Sequence, residues 1–391
     1  MAALAATSAF AQSTVTIYGR AHVAYDMNYS ASGAALGTAG DVKNRRRVAD
    51  DGSRIGFRIS EDLGGGLRAS AVIETGVNLD TATNNGQLQG TANSGTGFFG
   101  TREAHVGIGN ATGEVRLGRQ NVWWGMGPVE DVSANRISGG VHGSFYAQSS
   151  GWVTAPAARM ENTVQLIAGT AAGGFAGSSI WFAHPMAAES TAANTDVKAA
   201  AQGVTLRYVT GPFAASYDYG VNKNNANVLT SASNFTATGN KLGLAYTYAP
   251  GSKVYFINTA LSREYSLAAT NNTALSVIAG TGALDGGQRK QSSNAIGVQH
   301  RMGNIELHGH YVMQGDVKGH AATLADSGAT AYALGARYEL SKRTALTTSY
   351  NIIKNDKNNS INISGGGQSS VASLAAGADL KIMRVSIQHN F

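Results

Sequence analysis

From Thr14 onward the chain alternates apolar and polar residues one by one. Val15, Ile17, Ala21 and Val23 fall on one face, and Thr16, Tyr18, Arg20 and His22 on the other. That period of two defines a strand with one face buried in an apolar medium. The pattern recurs in Ile55/Phe57/Ile59 against Arg54/Arg58, and in Val204/Leu206/Tyr208, Phe213/Ala215/Tyr217/Tyr219 and Leu242/Leu244/Tyr246/Tyr248. It returns in Ile305/Leu307/Tyr311, Tyr332/Leu334/Tyr338 and Leu346/Tyr350/Ile352. Each apolar row needs either a second sheet or lipid to cover it. Charged residues make up only 14% of the chain, against about 25% in soluble domains, which favours lipid. No run of about 18 or more apolar residues follows the first positions, so no helix crosses a membrane. A closed β-barrel is the spanning structure left. Tyr repeatedly ends the apolar rows, as rings at a membrane–water interface do.

The rest of the composition removes other classes. The 15 Tyr, 11 Phe and net charge of only +6 argue against disorder. With no cysteine there are no disulfides, Fe–S clusters or thiolate metal sites. The basic residues are scattered and form no amphipathic helix, which argues against nucleic acid as a partner.

Met1 to Ala11 is small and apolar and ends in Ala9-Phe10-Ala11, a signal-cleavage pattern that lacks its basic start. Residues 1–12 therefore read as a residual signal peptide and 13–391 as one barrel domain. Sixteen strands are expected, near 14–29, 48–60, 67–79, 98–109, 114–121, 159–170, 175–184, 201–209, 213–221, 239–249, 252–263, 290–301, 304–314, 331–340, 344–353 and 379–391. Connections alternate between short turns, such as Thr210-Gly211-Pro212 and Ser341-Lys342-Arg343, and long Asn/Ser/Thr/Gly stretches. Short periplasmic turns, long extracellular loops and an even strand count describe an antiparallel transmembrane barrel of the outer membrane.

Several segments resemble the Gram-negative general porins, the β-proteobacterial branch most closely. They are Thr14–Arg20, Gly52–Leu67, Phe98–Ile108, Gly113–Gln120 and the terminal Arg384–Phe391. The resemblance implies a homotrimer of 16-stranded barrels, each narrowed by an inward-folded third loop, here about 122–158 with Trp123, Trp124, Glu130 and Asp131. It assigns Arg20, Arg54, Arg102 and Arg159 to the basic wall of the constriction, and Glu74 to a wall carboxylate. Glu130 and Asp131 stand on the facing loop. The family's Pro-Glu-Phe-Gly is absent, and Pro128-Val129-Glu130-Asp131 is a loose analogue. The resemblance also makes Phe391 the aromatic signal read by the barrel-assembly machinery.

Arginine on the lipid face at mid-bilayer costs about 2–4 kcal/mol, so alternation independently turns Arg54 and Arg58 toward the lumen. It does the same for Arg207 and Arg337. Arg58, Arg207, Arg337 and Arg384 read as general lumen charges. Arg102 shares the parity of Ala104, Val106 and Ile108 and is assigned on the resemblance alone. Arg45, Arg46 and Arg47 form an exposed rim patch, read either as a plain solvated loop or as one that contacts lipopolysaccharide phosphates or attracts anions.

His142 and Ser144 lack an orienting acid, and His308 and His310 lack a third metal ligand. No enzyme, cofactor or metal site is therefore expected. The expected function is passive diffusion of ions and small hydrophilic solutes, with mild anion preference set by charges at a narrow throat. The alternatives are a substrate-selective porin or a barrel adhesin or enzyme scaffold. Sixteen strands, which leave an aqueous channel, disfavour the scaffold.

Overall fold

Alternating sequence becomes alternating strand because each apolar row can meet lipid while its partner row faces inward. The computed structural model describes residues 13–32, 42–80, 100–122, 127–129, 159–183, 198–225, 235–265, 288–319, 323–361 and 374–391. The wall begins with β1 (Thr14–Ser32), β2 (Val42–Asp50, resuming as Arg54–Gly64), β3 (Leu67–Gly76), β4 (Glu103–Gly109) and β5 (Gly113–Asn121). It continues with β6 (Arg159–Ala168), β7 (Ser179–Ala183), β8 (Lys198–Thr210), β9 (Phe213–Asn225), β10 (Phe235–Ala249) and β11 (Ser252–Tyr265). The last strands are β12 (Gln288–Met302), β13 (Ile305–Gln314), β14 (Ala329–Glu339), β15 (Thr344–Asn355) and β16 (Asp379–Asn390). Neighbours pair antiparallel, and β16 returns to β1 with Val23 opposite Ile387 and Arg20 opposite Asn390. The sheet is thus a closed 16-stranded barrel. Closure leaves no strand edge, so backbone polar groups are satisfied inside lipid.

The expected strands all appear, with local differences. The second is interrupted at 51–53, where Gly52 has φ +74 and the Asp50 carboxylate accepts from the amides of Gly52 (2.9 Å) and Ser53 (3.1 Å). The fourth starts later than expected, because residues 101 and 102 bend after Gly100. A 3₁₀ turn, Thr170–Phe175, precedes a short β7. A small hairpin, Val317–Lys318 with Thr323–Leu324, lies between β13 and β14. The expected signal, residues 1–12, lies outside the described residues.

Outward residues such as Val15, Ile17, Ile296 and Leu334 stay 59–66% exposed, which only a lipid surround makes favourable. On the inner face, three aromatics lie over the glycine directly opposite: Tyr18 on Gly56, Trp181 on Gly203 and Tyr255 on Gly297. A Cβ on those glycines would come within 2.7, 2.3 and 2.1 Å of the rings. Glycine there lets a flat ring cover the wall.

Two inner regions depart from a purely water-facing lining. Ala245, Tyr255, Ile257, Ala295, Val312, Ala331, Ile353, Leu380 and Ile382 form a buried apolar cluster that also holds Val129 from the third long loop. That stretch of wall is core because chain packs on it. At the closing seam, Arg384 is not a lumen charge in water but fully buried against Asp26 at 2.7 Å, with Asp51 at 3.5 Å. Arg47 meets the other Asp26 oxygen at 2.9 Å. His22 lies between Asp51 (Nδ1, 3.3 Å) and Ser386 (Nε2, 3.1 Å).

Candidate functional site

Among the described residues, the inner wall of β1 to β6 carries a dense set of paired charges. Arg20 and Arg54 sit directly opposite each other, an arrangement that costs energy unless each finds a partner. Arg20 Nη2 donates to the carbonyls of Asp51 (3.1 Å) and Gly52 (2.9 Å) at the β2 interruption. Arg54 Nε turns instead to Glu74 Oε2 at 3.3 Å. Glu74 also accepts from Tyr18 Oη at 3.1 Å on the same oxygen, and from Arg102 Nε at 2.7 Å on Oε1. Its side chain is 8% exposed, a burial that an ionised carboxylate tolerates when charge-assisted donors surround it.

Arg102 reaches this face against strict alternation. It stands in the bend before β4, where its amide donates to the Glu74 carbonyl at 3.0 Å. Its side chain passes over Gly76, where an added Cβ would lie 3.7 Å from Arg102 Cδ. Parity does not govern Arg102, because the residue is not yet in the strand.

Directly opposite Glu74 on β4 is Glu103. It accepts a short hydrogen bond from Asn121 Nδ2 and lies 3.6 Å from His105 Nε2. Arg159 stands opposite Asn121 at the start of β6 and within electrostatic reach of Glu103, Glu74, Arg102 and Arg119. Arg119 Nη1 pairs with Glu161 at 2.8 Å beside a bulge where Asn162 takes φ +50. Four guanidiniums, Arg20, Arg54, Arg102 and Arg159, therefore share one wall with two carboxylates, Glu74 and Glu103.

Sequence reasoning pointed to Arg54, Glu74, Arg102 and Arg159, and the structure brings these together. Arg20 lies beside Arg54 with its guanidinium held by backbone carbonyls. Glu130 and Asp131 lie outside the described residues, as do Trp123, Trp124, His142 and Ser144. Tyr18 and Glu103 were missed. Their signal was present: Tyr18 shares the inward parity of Arg20, and Glu103 shares that of His105 against exposed Val106 and Ile108.

Residues 127–129 of the third long loop pack against the inner wall. Val129 is fully buried among Ala245, Tyr255 and Ile257, and Lys253 Nζ donates to the Pro128 carbonyl at 3.5 Å. A Cβ on Gly127 would come within 2.7 Å of Arg207 Nε. Arg207 is itself held by Asp218 at 2.9 Å, and Asp218 meets Lys241 at 3.5 Å. Residues 127–129 thus rest on the inner wall of β8 to β11. Arg207 touches that segment, so it does more than solvate the lumen. Arg337 is paired with Glu339 at 3.8 Å, away from it. His308 Nε2 meets Tyr255 Oη at 3.0 Å, and no metal-binding group of three or more such side chains occurs among the described residues. The wall cluster offers fixed charges and hydrogen-bond donors, the means by which a pore sorts ions.

Comparison with known proteins agrees with the barrel fold. The Gram-negative porin family matches residues 1–358. Outer membrane porin protein 32 of Delftia acidovorans is 38% identical over 128 residues, covering 31% of this chain and 30% of that protein. Major outer membrane protein P.IB of Neisseria gonorrhoeae is 32% identical over 132 residues, 34% of this chain and 32% of the relative. The matched stretches thus span 30% and 32% of these curated relatives. Among solved structures, the anion-selective porin from Comamonas acidovorans superposes with a TM-score of 0.67 at 22% identity, over 97% of this chain and all (100%) of that one. The trimer form of in-vitro folded OmpT from Vibrio cholerae gives 0.59 at 11% identity, over 97% of this chain and 99% of that one. These two likenesses are of fold.

Proposed function

The chain belongs to the Gram-negative porin family, and from that premise we propose that it forms a water-filled channel through the bacterial outer membrane. The channel passes ions and small hydrophilic solutes by passive diffusion, with a mild preference for anions, and makes or breaks no bond. The observation that carries the reading is the cluster of Arg20, Arg54, Arg102 and Arg159, four guanidiniums gathered around the two carboxylates Glu74 and Glu103. Fixed positive charge on the wall of a narrow passage raises the local concentration of anions.

In this reading Arg20, Arg54, Arg102, Arg159 and Glu74 line the constriction, and Glu130 and Asp131 face them from the third loop. The functional unit is a homotrimer. Phe391 is recognised by the barrel-assembly machinery, and the outer face contacts outer-membrane lipid and lipopolysaccharide. The Comamonas acidovorans porin that shares this fold is anion-selective, which supports the sign of the preference.

The test is insertion of the purified protein into a planar bilayer under a potassium chloride gradient. Discrete conductance steps with a zero-current potential on the chloride side are expected. An absence of steps would overturn the channel, and a potential on the potassium side would overturn the preference.

A further inference from the structure

Strand β2 carries one extra residue beside the arginine wall. Val23 lies opposite Asp50 and Arg20 lies opposite Arg54, so Ala21 and His22 on β1 face Asp51, Gly52 and Ser53. Such a bulge leaves its extra residue out of the ladder and re-aims the groups beside it. Gly52 takes φ +74, a left-handed conformation that glycine adopts without steric cost.

The bulge is held from several sides. The Asp51 amide donates to the His22 carbonyl at 2.9 Å, and the Ser53 carbonyl accepts from the Val77 amide at 2.9 Å. The Asp50 carboxylate accepts from the amides of Gly52 and Ser53. Ser53 Oγ accepts from the His22 amide at 3.0 Å and donates to the His22 carbonyl at 3.2 Å. The Asp51 carboxylate meets Arg384 and His22, and His22 Nε2 lies 3.1 Å from Ser386 Oγ. Residues 51–53 are thus tied to β1, to β16 and to the chain that follows β3.

This frame presents two successive carbonyls to one side chain. In a regular strand successive carbonyls point opposite ways, toward the two neighbouring strands. Here the carbonyls of Asp51 and Gly52 both accept from one nitrogen, Arg20 Nη2, at 3.1 and 2.9 Å. The arrangement matters because Arg20 faces Arg54 across the β1–β2 pair, and like charges so placed push apart. Arg54 is drawn the other way, to Glu74. Neutral carbonyls fix a guanidinium through charge-assisted hydrogen bonds without neutralising it, whereas a carboxylate does both.

We propose that the bulge at residues 51–53 is a carbonyl clamp that positions the Arg20 guanidinium in the ion path, with Gly52 and Ser53 as positioning residues for the anion preference. The proposal rests on the reading of the β1–β6 wall as the constriction of an anion-preferring channel, and adds to it what holds one of its cations in place.

Zero-current potentials in a potassium chloride gradient test it, on bulge variants that change no charge. G52A cannot hold φ +74 without strain. It should release Arg20 and lower the chloride-to-potassium permeability ratio by about twofold. G52N should keep the wild-type ratio, because asparagine tolerates the left-handed conformation. R20Q should lower the ratio as well, and R20Q/G52A should match R20Q alone. Should G52A not fold on heat-shift electrophoresis, S53A removes the hydroxyl that joins the bulge to His22. It should give a smaller fall, likewise absent beside R20Q. A wild-type ratio in both G52A and S53A would overturn the clamp, since a merely structural bulge changes folded yield and not selectivity. Equal falls from G52A with and without Arg20 would also overturn it, as would a wild-type ratio in R20Q. A wild type that conducts nothing or favours potassium would remove the channel reading and the clamp with it. An anion-preferring wild type beside unchanged bulge variants would remove the clamp alone.

Discussion

Glu103 shows how one residue changes the charge balance of the inner wall. It lies directly opposite Glu74 and shares its arginine neighbours, so removing its charge leaves the guanidiniums of the cluster less compensated. Glu103→Gln should therefore move the zero-current potential further toward that of chloride, with the barrel intact. An unchanged potential would mean that Glu103 lies outside the ion path. Gly19 is a second such position. Its backbone exchanges hydrogen bonds with Phe391 at 2.9 and 3.1 Å, and an added Cβ would come within 2.2 Å of the Phe391 ring. Gly19→Val should displace the ring that ends the closing strand, an overpacking cost of about 1–3 kcal/mol. It should also lower the yield of folded protein on heat-shift electrophoresis, as deletion of Phe391 should. Normal yield from both variants would remove Phe391 from assembly.

At the scale of elements, the strands and their lipid faces were legible because alternation acts on every residue and lipid punishes each error. Val15, Ile17, Leu206 and Leu334 fall outward as their parity requires. What stayed hidden has specific physical causes. Arg102 defies parity because the chain bends before β4. The apolar inner wall around Ile257 and Ile353 interrupts the polar lining, and nothing local reveals that Val129 packs there. Arg384 read as a lumen charge because its partners, Asp26 and Asp51, are more than three hundred positions away in sequence and meet it only when β16 closes on β1. That seam makes a prediction. Arg384→Leu removes the guanidinium from buried Asp26 and Asp51, leaving them only Arg47 and His22 beside them, a loss of about 3–5 kcal/mol. Urea unfolding followed by tryptophan fluorescence should show a correspondingly lower midpoint. A midpoint equal to wild type would mean that the seam is held by its backbone pairing alone.

Across the whole molecule, closure and charge placement serve different ends. Pairing of β16 with β1 makes a wall without edges, so the inner face can carry many ionised groups at little risk to the fold. Residues 127–129 of the third long loop rest on the β8–β11 wall, while the guanidinium-rich cluster stands on β1 to β6. On the proposed function it is this cluster, and not the total charge of the lumen, that selects ions. The deciding experiment is the zero-current potential in a salt gradient of R54E/R102E/R159E beside R337E, whose arginine lies away from both the cluster and the loop contact. The triple variant should reverse the sign of the potential, with trimers still present on native electrophoresis. R337E should shift it only slightly. A per-charge shift in R337E equal to that of the triple variant would refute selection by the cluster, because selectivity would then follow overall lumen charge.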